Sequence, residues 1–577
     1  MARSVYFDVL KAVAIISVVL YHLGICEFGY LGVDVFLVIA GYFTTKSVDK
    51  QIVGGGRYLP FVANRFFRLL PLLMLAGIVC LLFGLFFMLP DDYENVAQSV
   101  VATNLFANNI LQSITTKNYW ATVNEYKPLM HTWYVGLLMQ FYITIPLVLF
   151  VIGKYKKDNR FKWSIYALIA IGIVSLLMYL LSDSSVERFY YLPYRLFEFC
   201  LGGVVALICT KKQLIPEKIG EIVFVFFYVI ILGILFSQVG VISASAKLLT
   251  VVISTAGLLY LMPKVKFAQN FMFSNKIAAA IGASSFSIFV WHQVVFALTR
   301  YSFTANLTKP IVAVAIFLII AILSYLSYRY IEQLAKNKFT WTLVLVATFI
   351  ATTYSLYIYK IAGVVRDVPE LEVVKGNALR GQWAEYCDRG YAYDKDFADN
   401  SKPHWLVIGN SFGRDWVNIV RESVISDKVE VSYITSDSYR AKASRFEQAD
   451  VVFLSTLGVD EALIENIQKC CRPQTKFYII GEKNFGESNG QIYRKRHAED
   501  YLQQYIEMGK GFAEKNERLK NAYPDIYIDL IEKVQREDGK VRVFSDNGRY
   551  ISQDCYHLTQ AGAQYFAGII DWTYFFN

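Results

Sequence analysis

Charge is scarce in this chain. Only 18% of its 577 residues are Asp, Glu, Lys or Arg, against 55% hydrophobic, and the mean hydropathy is +0.36. A soluble protein of this length carries more charge, so the shortage points to a polytopic membrane protein. Zinc-type cysteine spacing is also lacking. Of eight cysteines, the four in the C-terminal part (Cys387, Cys470, Cys471 and Cys555) show no paired metal-site pattern, and no metal is expected. No small-residue cleavage site follows Arg3, so the first apolar stretch reads as a retained helix and not a removed signal. The formal charge of +9 does not indicate a nucleic-acid partner, because the basic residues lie mostly in short loops between apolar runs.

Eleven apolar runs fall near residues 7–26, 30–47, 67–89, 131–152, 163–182, 189–209, 220–238, 243–262, 277–298, 310–331 and 340–360. Each approaches the ~20 residues that cross a hydrocarbon core of ~30 Å. Positive charge alternates between the loops. One set carries Lys46, Lys50, Arg57, Arg65 and Arg68, then Lys154 to Lys162, Lys211 to Lys218, Lys264 with Lys266, and Arg329 to Lys338. The intervening loops are poor in it, which predicts a cytoplasmic N-terminus and, after eleven crossings, an external segment beyond Lys360. The stretch 95–113 is apolar enough for a twelfth span that would invert this topology. Its Asn104, Asn108 and Asn109 favour an interfacial or re-entrant segment.

Lys11 and His22 share the first run. At ~100° per residue, eleven residues leave about 20° of drift, so both point from one helix face, ~16 Å apart along the axis. Ionisable groups within a bilayer usually face the bundle interior and mark a site. Lys11 also suits snorkelling and His22 an outer cap, but Asp8 one turn from Lys11 and Asp34 in the next run favour a functional pair. The Lys-x10-His spacing resembles a motif of the membrane acyltransferase 3 family. So do Gly32-Val-Asp34 through Gly41-Tyr-Phe, Arg65-Phe-Phe-Arg68, His131-Thr-Trp133 with Gln140-Phe-Tyr142, Arg195-Leu-Phe-Glu198, Ser287 through Trp291-His292, and Tyr328-Arg329-Tyr-Ile-Glu332. Seven motifs in the family's order span about residues 5–335. The resemblance implies catalytic roles for Lys11 and His22 and coenzyme binding by Arg65 and Arg68, whose guanidinium forks match phosphate. Arg65 and Arg68 equally satisfy a plain topological role, and Arg195 with Glu198 reads as a satisfied intramembrane pair. One departure stands out: the family's glutamates after His-x-Trp are replaced by Leu138 and Met139.

Beyond residue 404, short β-branched runs (Trp405–Ile408, Val429–Ile434, Val451–Leu454, Phe477–Ile480, Ile526–Leu530) alternate with helical stretches. That pattern predicts a three-layer α/β domain with a parallel sheet. Ser411 follows the first strand in Gly-Asn-Ser, and Asp554-Cys-Tyr-His557 lies near the C-terminus. This layout resembles the SGNH hydrolase/transferase family, which implies Ser411 as nucleophile, His557 as its base and Asp554 as the orienting acid. Asn410 replaces the family's Asp, and the glycine and asparagine of its oxyanion hole are not evident. The amide after Ser411, with Asn410 or Thr456, is the substitute expected. His404 and His497 are expected at the surface. If the segment lies outside the cell membrane, Cys387 is a candidate to pair with Cys555, Cys470 or Cys471.

The expected organisation is a membrane acyltransferase domain at 1–335, a further transmembrane helix at 336–360, an extension at 361–400 and a periplasmic SGNH domain at 401–577. Fused halves of these types resemble bacterial inner-membrane O-acetyltransferases. The resemblance implies acetyl-CoA as donor, no permanently bound cofactor, and a lipid-linked or surface polysaccharide acceptor. O-antigen or lipopolysaccharide is placed first and peptidoglycan second. An exporter of acylated glycan and an outward-facing esterase are the readings from other classes.

Overall fold

The computed structural model describes residues 5–115, 124–209, 216–238, 243–269, 275–303, 306–332, 338–375, 386–509 and 511–576. Arg3, Lys211, Lys212 and Lys336 lie outside the described residues. The chain forms two compact units, one of Met1–Gly84 with Asn95–Leu356, the other of Leu85–Glu94 with Tyr357–Asn577.

Among the described residues, nine helices are long and apolar enough to cross a membrane. A tenth forms if the pair Lys276–Ala283 and Ser285–Ser302, bent by 68°, counts as one span. The run near 189–209 appears as the shorter apolar helix Leu196–Ile208. The helices that matter for the site are α1 (Val5–His22), α2 (Gly32–Val53), α3 (Tyr58–Phe87), α4 (Trp133–Tyr155), α5 (Leu196–Ile208), α6 (Lys276–Ala283) and α7 (Ser285–Ser302). The stretch 95–113 is not a span: it is divided between helices Pro90–Asn104 and Asn108–Thr115, with Phe106 at φ 54° in the break. Its asparagines bond within the protein, Asn104 to Thr352 Oγ1 (3.0 Å), Asn108 to Leu129 O (2.8 Å) and Asn109 to Tyr190 O (3.1 Å).

Lipid tails are as apolar as leucine, so helices in a bilayer gain by close approach of small residues. α2 and α5 meet this way. A Cβ on Gly41 would lie 2.0 Å from Phe199 O, and one on Gly202 2.0 Å from Val38 O. Across the same crossing, buried Arg195 is ion-paired with Asp34 and, at 3.1 Å, with Glu198. Asp34 therefore serves this cluster. The π-turn Ser327–Ile331 brings two distant motifs together, with Trp291 Nε1 donating to Ser327 Oγ (2.8 Å) and Ser287 Oγ to Glu332 (2.6 Å).

The second unit has a five-stranded parallel sheet built from β1 (His404–Gly409), β2 (Glu430–Thr435), β3 (Val451–Ser455), β4 (Lys476–Ile480) and β5 (Tyr527–Ile528), in spatial order 2-1-3-4-5. Side chains alternate across a strand, so Trp405 and Val407 enter one core with Trp416 and Phe453, while Leu406 and Ile408 enter another with Ile464 and Leu519. Burial on both faces is what a parallel sheet between helical layers requires. Segment 85–94 belongs to this unit. Arg366 donates to Leu85 O (2.6 Å), Met88 O and Tyr493 Oη (3.0 Å), and Leu89 packs with Val368, Tyr493 and Tyr550.

Candidate active sites

A cavity of about 900 Å³ opens in the first unit. Lys11, Lys46, Lys50, Arg65 and Arg68 line it, with Asp8 and Glu332 as its carboxylates. Lys11 is bonded to Asp8 (3.0 Å), and Arg65 lies over the rings of Phe61 and Tyr142 at 5.1 and 5.3 Å. Five cations around one cavity suit a ligand with several phosphates. A smaller cavity of about 120 Å³ shares Arg65 and Arg68 and is closed by Phe36, Tyr134 and Phe289. These rings form a layer, Phe36 to Tyr134 at 6.4 Å and Tyr134 to Phe289 at 5.2 Å.

Phe289 also abuts His131 and His292, at 5.1 and 5.7 Å between ring centres. His22 lies 5.3 Å from His292. Lys11 thus lines the cationic cavity, whereas His22, three turns on, joins a histidine cluster that it does not line. The backbone of His22 is held by Arg300, which donates to its carbonyl (2.6 Å) and pairs with Glu125 (3.2 Å). Where the family carries glutamates this chain has buried Leu138 and Met139, and the His131 ring packs on Phe289 and, at 5.4 Å, on His292. His131 and His292 were quoted in motifs but given no role. Only the fold, which brings residues 22, 131 and 292 together, reveals the cluster.

In the second unit, Ser411 begins α8 (Ser411–Glu422) at the carboxyl end of β1. The sheet order reverses between β1 and β3, the switch point where open α/β sheets bind ligands. A Cβ on Gly409 would strike Ser455 O at 1.8 Å, so only glycine lets β1 turn this tightly into the helix. Ser411 Oγ lies 2.8 Å from His557 Nε2, and His557 Nδ1 lies 2.5 Å from Asp554 Oδ2. The other Asp554 oxygen accepts the amides of His557 (2.7 Å) and Tyr556 (3.0 Å). Burial pushes the Asp554 carboxyl up, but the His557 charge and these hydrogen bonds hold it below its ordinary value. Cys555, at φ 71°, supplies the left-handed turn between Asp554 and His557. Ser411, His557 and Asp554 are thus joined in one hydrogen-bonded chain, with the geometry of a nucleophile–base–acid relay.

Asn410 caps α8 by accepting the Phe412 amide (3.0 Å), and the Gly458 amide is taken by Glu482 (2.8 Å). The amide after Ser411 is thus engaged in capping, and the Thr456 hydroxyl makes only a long contact of 3.5 Å to Leu457 O. Two positioning residues escaped the sequence reading. Buried Lys483 and Asp415 pair at 2.7 Å, and Asp415 accepts the Leu558 amide (3.1 Å) next to His557. Lys483 also sits 3.9 Å from the Phe412 ring. Asp415, one turn after Ser411, was the available signal; its partner 68 residues on was not. His404 is a further correction: it is buried, stacked on Phe397 at 4.3 Å and bonded to Gln448 O and Asp399 O. Among the described residues no two cysteines are joined, and Cys387 Sγ lies 3.8 Å from Leu558 O.

Apolar helices around a cationic cavity, joined in one chain to a serine relay on an α/β sheet, define a membrane-embedded group-transfer protein. A family model described as an acyltransferase domain matches residues 4–329, more than half of the chain, and the chain belongs to that acyltransferase 3 family. It is 27% identical over 358 residues to the O-acetyltransferase OatA of Staphylococcus aureus (strain NCTC 8325 / PS 47), covering 57% of each chain. It is 24% identical over 352 residues to the peptidoglycan O-acetyltransferase OatA of Listeria monocytogenes serovar 1/2a (strain ATCC BAA-679 / EGD-e), covering 58% of this chain and 56% of the relative. The matched region thus spans a little over half of these relatives. No solved structure matches the chain.

Proposed function

We propose that the chain is a bacterial inner-membrane O-acetyltransferase that moves an acetyl group from cytoplasmic acetyl-CoA to a sugar hydroxyl of an envelope glycan. The observation that carries this reading is the formed Ser411–His557–Asp554 relay on a chain whose membrane unit belongs to an acyltransferase family. The cationic cavity supports it: a volume of about 900 Å³ suits a nucleotide-sized ligand, and Arg65, Arg68 and the neighbouring lysines suit its phosphates. The loop charges support an orientation with that cavity facing the cytoplasm and the α/β unit, of SGNH type, in the periplasm.

In the outer unit, Ser411 Oγ takes the acyl group as its proton passes to His557 Nε2, and His557 returns that proton to the departing group. A sugar hydroxyl then attacks the acyl-Ser411 ester, giving its proton to His557, which returns it to Ser411. Asp554 holds the imidazole tautomer throughout. The sequence placed O-antigen or lipopolysaccharide first as acceptor. Similarity to a protein named as a peptidoglycan O-acetyltransferase favours peptidoglycan as the acceptor to test first. Mass spectrometry of both polymers from cells expressing wild type, His22→Ala or Ser411→Ala is the test. Ester loss with both variants supports the reading. Unchanged esters on every glycan in cells lacking the protein contradict it.

A further inference from the structure

α7 carries a histidine, His292, whose family motif gives it no stated role. His292 is 0% exposed and its ring lies between those of His22 and His131, at 5.3 and 5.4 Å. Its Nδ1 lies 2.7 Å from Phe289 O, which can only accept, so Nδ1 carries the proton and Nε2 presents a lone pair. That Nε2 has no hydrogen-bond partner among the described residues. The same holds for Lys127 Nζ and for Gln293 Oε1, both on buried side chains. Gln293 ties the two segments together by donating to Lys127 O (3.2 Å). An unpaired buried polar group is costly, so a fold that leaves several in two joined segments suits a polar guest there. Packing alone would be met by apolar side chains.

We propose that His292 is a second base of the membrane site: beside His22, it takes the proton of the hydroxyl that receives the acyl group there. Lys127, His131 and Gln293 bind the remaining polar atoms of that hydroxyl-bearing acceptor. The inference rests on the acyl-transfer reading above. As the acceptor oxygen bonds to the thioester carbonyl carbon, its O–H bond breaks and the proton goes to His292 Nε2. The carbon–sulfur bond of acetyl-CoA then breaks, and the sulfur takes that proton, leaving an ester and a free thiol.

The test uses membranes containing the full-length protein, radiolabelled acetyl-CoA, and either isolated envelope glycan or hydroxylamine as acceptor. Hydroxylamine attacks thioesters without help from a base. His292→Asn keeps the hydrogen bond to Phe289 O while removing Nε2, and His292→Gln is the second variant. Counting only acetohydroxamate above that formed in membranes lacking the protein, the expected result is a fall of about 100-fold or more in glycan acetylation with protein-dependent acetohydroxamate within about fivefold of wild type. Equal loss of both products in both variants would mark His292 as structural and overturn the inference, as would no loss of either. A wild type that acetylates neither acceptor would overturn the acyl-transfer reading itself, and the inference with it.

Discussion

At residue scale, the relay in the α/β unit depends on groups that do not touch the substrate. Asp554 orients His557, so Asp554→Asn should lower ester transfer about 10³–10⁴-fold while thermal unfolding of the full chain changes little. Lys483 and Asp415 are both buried, and removing one partner leaves an unpaired charge that costs about 3–5 kcal/mol. Lys483→Met should therefore lower the melting temperature, and Asp415→Asn in the same background should recover part of the loss, since the amide oxygen still accepts the Leu558 N–H. Asp91, in segment 85–94, is set apart by its titration. Burial, then Asp92, Asp554 and Glu94, push its carboxyl up to about 8. Its ordinary value is 3.8, so between about 4 and about 8 the folded state holds a proton that the unfolded state releases. Stability should fall as pH rises through that window and level off above it. Asp91→Asn should be more stable than wild type at pH 8 and similar at pH 4, as read by melting of the full chain. Ser411 and the Asp-x-x-His were legible in the sequence because each is local. Lys483 was not, because a pair formed across the sheet leaves no spacing to read.

At the scale of elements, apolar length located, among the described residues, nine helices long enough to span, since a bilayer imposes that length on any sequence, and the run 189–209 formed only the shorter Leu196–Ile208. Length did not reveal how the helices bend. The run 277–298 reads as one span, yet the chain breaks at Ser284, whose hydroxyl donates back to Ala280 O (3.0 Å) and Ile281 O (3.2 Å). Such back-bonding, next to Gly282 where a Cβ would meet Asp8 O at 1.7 Å, accounts for the 68° bend. The crossing of α2 and α5 is as tightly constrained. Gly202→Ala should cost about 1–3 kcal/mol or more, because the new Cβ meets the rigid Val38 carbonyl. Reduced yield and a lower melting temperature in detergent would show it, whereas Gly233→Ala, in open space, should behave as wild type. In the α/β unit the five strands were legible from β-branched runs alone, because both faces of a parallel sheet are buried. The engagement of the Phe412 amide by Asn410 was not, since it depends on a side-chain rotamer.

At the scale of the whole molecule, the order of motifs carried more than any one of them. The seven matches anticipated the family that residues 4–329 belong to. They did not show the surroundings of Lys11 and His22, the first in a cation-lined cavity and the second in a histidine cluster. On the proposed mechanism, one chain receives an acyl group in the cation-lined cavity and delivers it beyond the bilayer. Vesicles reconstituted with the full-length protein test it, with labelled acetyl-CoA supplied to one side only and peptidoglycan fragments to the other. The expected result is labelled glycan with wild type and none with His22→Ala or Ser411→Ala. Label appearing only when donor and glycan share one side would contradict the claim.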